Sequence, residues 1–107
     1  MREITVNSLS EWINAGEKLT LVDVREEWEY SLGALLGSVH IPLGELSQRV
    51  DELGEDTSKP VVTICHHGVR SLHAAAYLQS AGYTRVFSLR GGTDAWSREI
   101  DRTLARY

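Results

Sequence analysis

At 107 residues with an ordinary share of apolar side chains, the chain is long enough for one domain with a real core, spanning residues 1–107. Its net charge of −4 and the lack of a long basic run exclude a nucleic-acid footprint, and no basic amphipathic stretch suits a membrane surface. The single cysteine, Cys65, excludes an internal disulfide framework and argues against a zinc site, so no metal and no cofactor are expected.

Ile4-Thr5-Val6 opens the chain as a short edge strand. Ser8 and Glu11 then make a capping-box pair, with Leu9, Trp12 and Ile13 at i, i+3 and i+4, and Gly16 ends that helix. Leu19 to Val24 is nearly continuous in apolar residues, the mark of a strand buried on both faces, and it runs into Asp23-Val24-Arg25-Glu26. A short helix over 27–31 follows, then a third strand over 38–41, closed by Pro42. Leu43, Leu46, Val50 and Leu53 share one helical face, which predicts a helix with Gly54 as its cap.

Pro60 leads into Val61-Val62-Thr63-Ile64, the most strand-prone segment of the chain, and Cys65 follows at once. A helix is predicted over 70–81, stopped by Gly82, with Ala74, Ala75 and Ala76 allowing close approach to a sheet. Arg85 to Ser88 is the fifth strand, Arg90-Gly91-Gly92 a turn, and Thr93 to Glu99 the last helix, anchored by Trp96. The amphipathic tail to Tyr107 is expected to fray. Strands separated by helices predict an α/β domain: a central, mostly parallel five-stranded sheet with helices on both faces. Such sheets bind ligands beyond the carboxyl ends of their strands. Three loops fall there: 23–25, 65–70 and 90–92.

A strand, a cysteine, a short glycine-containing loop and a helix form a chemical device. Thiolates, not thiols, attack and hold sulfur, and a free cysteine with a pKa of about 8.5 is only a few per cent ionised at neutral pH. A helix N-terminus offers unpaired N–H groups and positive dipole, and consecutive N–H groups in a tight loop make an anion nest. Gly68 supplies the backbone freedom, Arg70 a permanent positive charge, and Ser71 an inward hydroxyl or a cap. The bland alternative, Cys65 as a small core residue, fits poorly with the His66-His67-Gly68-Val69-Arg70-Ser71 that follows. His66 and His67 are adjacent and so are expected to face different ways, tuning local charge and acceptor docking at most.

With these residues in hand, the chain resembles the single-domain rhodanese family over nearly its whole length. Asp23-Val24-Arg25-Glu26 with Glu29-Tyr30, Gly37 to Pro42, Cys65 to Ser71, and Gly91 to Trp96 look like four family motifs in order. One stretch departs: Gly33-Ala34-Leu35-Leu36-Gly37 stands where the family usually has Gly-His-Ile-Pro-Gly, which implies altered loop geometry rather than lost activity. The resemblance implies a rhodanese-like domain in which Cys65 becomes a persulfide and the loop amides from His66 through Ser71 hold the outer sulfur. Asp23 and Arg25 match the Asp and Arg that the family pairs near the site. Asp23 is expected to support the loop, leaving Arg25 as the one free to approach substrate, with Arg90 a solvated rim cation.

The implied reaction is ping-pong sulfane transfer, from a small anionic donor such as thiosulfate to an external thiol, cyanide or a protein acceptor. An anionic donor must be attracted by local groups, because the net charge mildly repels it. With no second thiol, the persulfide must be resolved outside this chain. The resemblance leaves two rivals. Cysteine phosphatases and arsenate reductases use a similar Cys-loop-Arg device, but with one residue more between the two than the His66-His67-Gly68-Val69 found here. A redox-sensing or non-catalytic interaction module is the other. A lone cysteine, no signal-like N-terminal segment and no apolar run near the roughly 20 residues of a membrane span make the cytoplasm the expected location.

Overall fold

Side chains along Val61–Ile64 point alternately to two different cores, and that alternation organises the molecule. In the computed structural model of the protein, residues 2–107 are described. The strands β1 (Arg2–Ile4), β2 (Thr20–Asp23), β3 (Val39–His40), β4 (Val61–Ile64) and β5 (Val86–Leu89) form one sheet in the order β1-β5-β4-β2-β3, with every pairing parallel. Val62 and Ile64 face a core that holds Ile4, Leu9, Leu21 and Trp96. Val61 faces a second core with Val22, Ile41, Ala74 and Leu78, and Cys65 packs at its end. Helices α1 (Val6–Asn14) and α5 (Gly92–Glu99) pack together on the first core, and α4 (Arg70–Ser80) lies on β4 and β5. Ala74 and Ala75 are fully buried on the face of α4 that packs on the sheet, so small residues do bring that helix close to it, while Ala76 is exposed.

The α/β architecture with its five parallel strands agrees with the sequence reading, and the differences are local. The first strand ends at Ile4, because Thr5 leaves the sheet in an extended conformation and caps α1. Its Oγ1 accepts the Ser8 N–H at 3.2 Å, so Thr5, and not Ser8, is the cap. The stretch 43–53 is not one helix. It is a 3-10 turn (Leu43–Glu45), one turn of α3 (Leu46–Arg49) and a second 3-10 turn (Val50–Leu53). Leu43 N–H is tied to Val24 O at 3.0 Å, and the chain then bends to keep Leu46 in the core. An even apolar spacing reports which residues go inward but not whether the axis is straight.

The tail does not fray. Ser97 Oγ donates to Leu104 O at 2.7 Å, Leu104 joins the first core, and the chain returns to the carboxyl edge of the sheet at Tyr107. Among the described residues, no helix is long and apolar enough to cross a membrane.

Candidate active site

Cys65 follows β4, at the centre of the sheet's carboxyl edge, and α4 begins five residues later. Its side chain is buried. Two backbone N–H groups donate to Sγ, from Gly68 at 3.0 Å and from Ser71 at 3.3 Å. Ser71 Oγ lies 3.4 Å from Sγ and 2.7 Å from Ser88 Oγ, so a residue of β5 orients the hydroxyl nearest the sulfur. Gly68 has φ 102°, a left-handed region that favours glycine, and a Cβ there would sit 3.1 Å from Gly91 N.

The start of α5 clamps the loop from the other side. Thr93 N–H donates to Cys65 O at 2.9 Å and Asp94 N–H to His66 O at 3.1 Å. Gly92 fits against those same two carbonyl oxygens, where a Cβ would overlap both. The loops after β2, β4 and β5 therefore meet on one rim, as the parallel sheet required: Val24 N–H reaches Ile64 O at 2.8 Å, and Arg90 N–H reaches Ile4 O at 2.9 Å.

Asp23 and Arg25 form a buried ion pair, with Arg25 Nη2 2.8 Å and Nε 2.9 Å from the carboxylate. The remaining donors of Arg25 go to Gly33 O at 2.7 Å, Tyr107 Oη at 3.0 Å and Glu29 O at 3.3 Å. Burial opposes its charge, and the Asp23 and Tyr107 hydrogen bonds outweigh that. Arg25 is thus committed to holding the 26–33 segment and the tail, and is not free to approach a substrate. The 33–37 segment packs through Leu35, which is buried, while Leu36 is fully solvated.

The charge of Arg70 is also engaged. Its guanidinium makes a bidentate pair with Glu29 at 2.6 and 2.8 Å, a residue of α2 (Glu27–Leu32). Arg70 holds the Glu29 carboxyl down to about 2 against the opposing effect of burial, with help from the backbone and from Tyr107. Tyr107 Oη donates to Glu29 Oε2 at 2.8 Å, which joins Arg25, Glu29, Arg70 and the tail in one network. Arg90 is mostly exposed and lies 3.3 Å from Glu3, a rim cation as expected.

His66 and His67 do not face apart. Their ring centroids are 3.8 Å apart, and His66 also stacks on Tyr107 at 3.8 Å with an interplanar angle of 12°. A bend follows Cys65, and alternation of side chains holds only for extended backbone. Burial, then the neighbouring His67, pushes the His66 pKa down. Two buried polar atoms near the loop lack a hydrogen-bond partner among the described residues, His66 Nε2 and Thr93 Oγ1.

Sequence reasoning placed Cys65, Gly68 and Ser71 together but missed the parts played by Glu29, Ser88, Asp94 and Tyr107. Glu29 and Asp94 lay inside recognised motifs, and only their partners were hidden. Ser88 and Tyr107 carried no local signal.

A parallel α/β sheet whose central strand delivers a buried cysteine to two inward-turned loop N–H groups defines a cysteine-loop domain. The model of the rhodanese-like domain matches residues 5–99, and the chain belongs to that family. It is 38% identical over 98 residues to a sulfurtransferase from Allochromatium vinosum, covering 92% of this chain and 90% of that protein. It is 35% identical over 82 residues to the thiosulfate sulfurtransferase GlpE of Actinobacillus pleuropneumoniae, covering 77% and 74%. A solved rhodanese-related protein from Thermoplasma volcanium is similar in fold, with a TM-score of 0.82 at 34% identity over 94% of each chain.

Proposed function

We propose that the protein is a sulfurtransferase that carries sulfane sulfur as a persulfide on Cys65. The observation that carries this reading is the meeting of the Gly68 and Ser71 N–H groups on Sγ, at the centre of the sheet's carboxyl edge. Fixed amide dipoles favour a sulfur that bears negative charge and need no reorganisation when that charge moves. The sulfurtransferase relatives, at 35% and 38% identity, support sulfur transfer as the general chemistry, and thiosulfate as donor is carried over from the GlpE relative.

The reaction has two displacements. The Cys65 thiolate attacks the outer sulfur of thiosulfate, the donor's S–S bond breaks, and sulfite leaves with the electron pair. The persulfide then presents its outer sulfur within the loop from His66 to Ser71. A thiophile attacks that sulfur, the Cys65 S–S bond breaks, and the thiolate returns. The acceptor is cyanide in an assay and a thiol or a protein in the cell, because the chain has no second cysteine. Asp23 and Arg25 act by holding the rim. Residues 1–107 make up one rhodanese-like domain, acting in the cytoplasm.

The phosphatase reading is weaker than the loop length alone made it. An oxyanion cradle needs a guanidinium turned to the anion, whereas Glu29 takes up Arg70 in a bidentate pair. Steady-state kinetics test the reading. Thiosulfate, mercaptopyruvate and a panel of thiol acceptors should give parallel double-reciprocal lines with wild type and no turnover with Cys65→Ser. Faster release of phosphate from an aryl phosphate, or peroxide oxidation of Cys65 without turnover of any donor, would contradict it.

A further inference from the structure

We infer that His66 and His67 of the Cys65 loop, with Asp94 of α5, form a three-ligand site for a divalent transition-metal ion, Zn²⁺ above all. One ligand atom from each of the three residues lies within 4.8 Å of the other two. The second observation is independent of that spacing: His66 Nε2 is buried and has no hydrogen-bond partner among the described residues. A buried ring nitrogen without a partner is costly, and a cation is one group that would satisfy it. Sequence reading, which looked for zinc only through cysteine, expected no metal here.

The donor set decides the class of ion. Two imidazoles and one carboxylate suit zinc, nickel or copper, and three protein ligands leave a position open. Ligand atoms around a tetrahedral zinc stand about 3.3 Å apart at the usual bond lengths, and the His66 and His67 rings, 3.8 Å apart with a 33° tilt, must unstack for their lone pairs to converge on one ion. His67 is exposed and its ring can turn to do so. Asp94 is the fixed ligand: Arg98 and Arg106 hold its two oxygens at 3.0 and 3.3 Å, and its N–H is bound to His66 O. Each carboxylate oxygen keeps a further lone pair for a cation, and the two arginines orient the group as outer partners while weakening it as a ligand. An ion here would offset the chain's negative charge close to the cysteine. That consequence rests on the sulfurtransferase reading, whereas the site itself does not.

Titration calorimetry of the untagged protein with Zn²⁺, paired with the absorption spectrum of the Co²⁺ form, tests the inference without any activity assay. One ion per chain is expected, with a cobalt spectrum that lacks a thiolate charge-transfer band. His67→Ala and Asp94→Asn should each weaken Zn²⁺ binding by at least about tenfold, while Cys65→Ser and the remote His73→Ala bind as wild type. Circular dichroism confirms that each variant is folded. Because His67 is exposed, His67→Ala decides the matter if Asp94→Asn unfolds. The inference is overturned if wild type binds no Zn²⁺, if His67→Ala binds it unchanged, or if Cys65→Ser abolishes binding.

Discussion

The two N–H groups that meet the Cys65 sulfur come from the seven-residue run 65–71, whereas the wall beside that run is assembled from Asp23, Arg25, Glu29 and Tyr107, at opposite ends of the chain. The loop is built by backbone conformation: a glycine with positive φ, a helix start and N–H groups turned inward. The wall is built by charge: two ion pairs, with a tyrosine hydroxyl bonded to one member of each. The comparison implies that the chemistry depends on the first and its alignment on the second. Loss of loop geometry should remove activity outright, and loss of the wall should blunt it.

The largest effect belongs to the sulfur itself. Cys65→Ser should lower sulfur transfer by at least about 10³-fold in an otherwise folded protein, measured by thiocyanate formation and circular dichroism. Next is the clamp. Gly92→Ala places a methyl group against the carbonyls of Cys65 and His66 at a residue with φ 58°, and should cost roughly 2–4 kcal/mol in urea unfolding together with most of the activity. Activity that survived at the wild-type level would break the link between loop geometry and chemistry.

Glu29→Gln separates the two regions more finely. It leaves Arg70 without its charged partner and should lower kcat/KM by about tenfold, at a cost of roughly 1–3 kcal/mol in stability. It also has a pH signature. Arg70 holds the Glu29 carboxyl at about 2, below its ordinary 4.5, so the folded protein takes up that proton less readily than the unfolded chain. The contribution of the pair is complete above about pH 4.5 and is lost as pH falls toward 2. Denaturant titrations across that range should show a flatter decline in Glu29→Gln than in wild type. The smallest effect is Tyr107→Phe, which removes one hydroxyl from Arg25 and Glu29 and should cost about 1 kcal/mol, with kcat/KM changed by no more than about threefold.

The same division explains what could be read before the structure. The strand over 61–64, the helix from Arg70 and the placing of Cys65 between them follow from patterns a few residues long. The rim shared by the 23–25, 65–70 and 90–92 loops follows from parallel topology. Glu29 was visible as a motif residue, but its bond to Arg70 spans 41 positions and has no periodicity to reveal it. Tyr107 looked like the end of a fraying tail, because its contacts with Arg25, Glu29 and His66 exist only once the chain has folded back. The joined rings of His66 and His67 were missed for a different reason, an alternation rule applied to a bend.

Intact-protein mass spectrometry after thiosulfate treatment tests the central claim most directly. The account predicts a gain of one sulfur atom on the wild-type chain, its loss on addition of cyanide, and no gain on Cys65→Ser. An unchanged mass for the wild type, or a sulfur adduct that persists in Cys65→Ser, would contradict it.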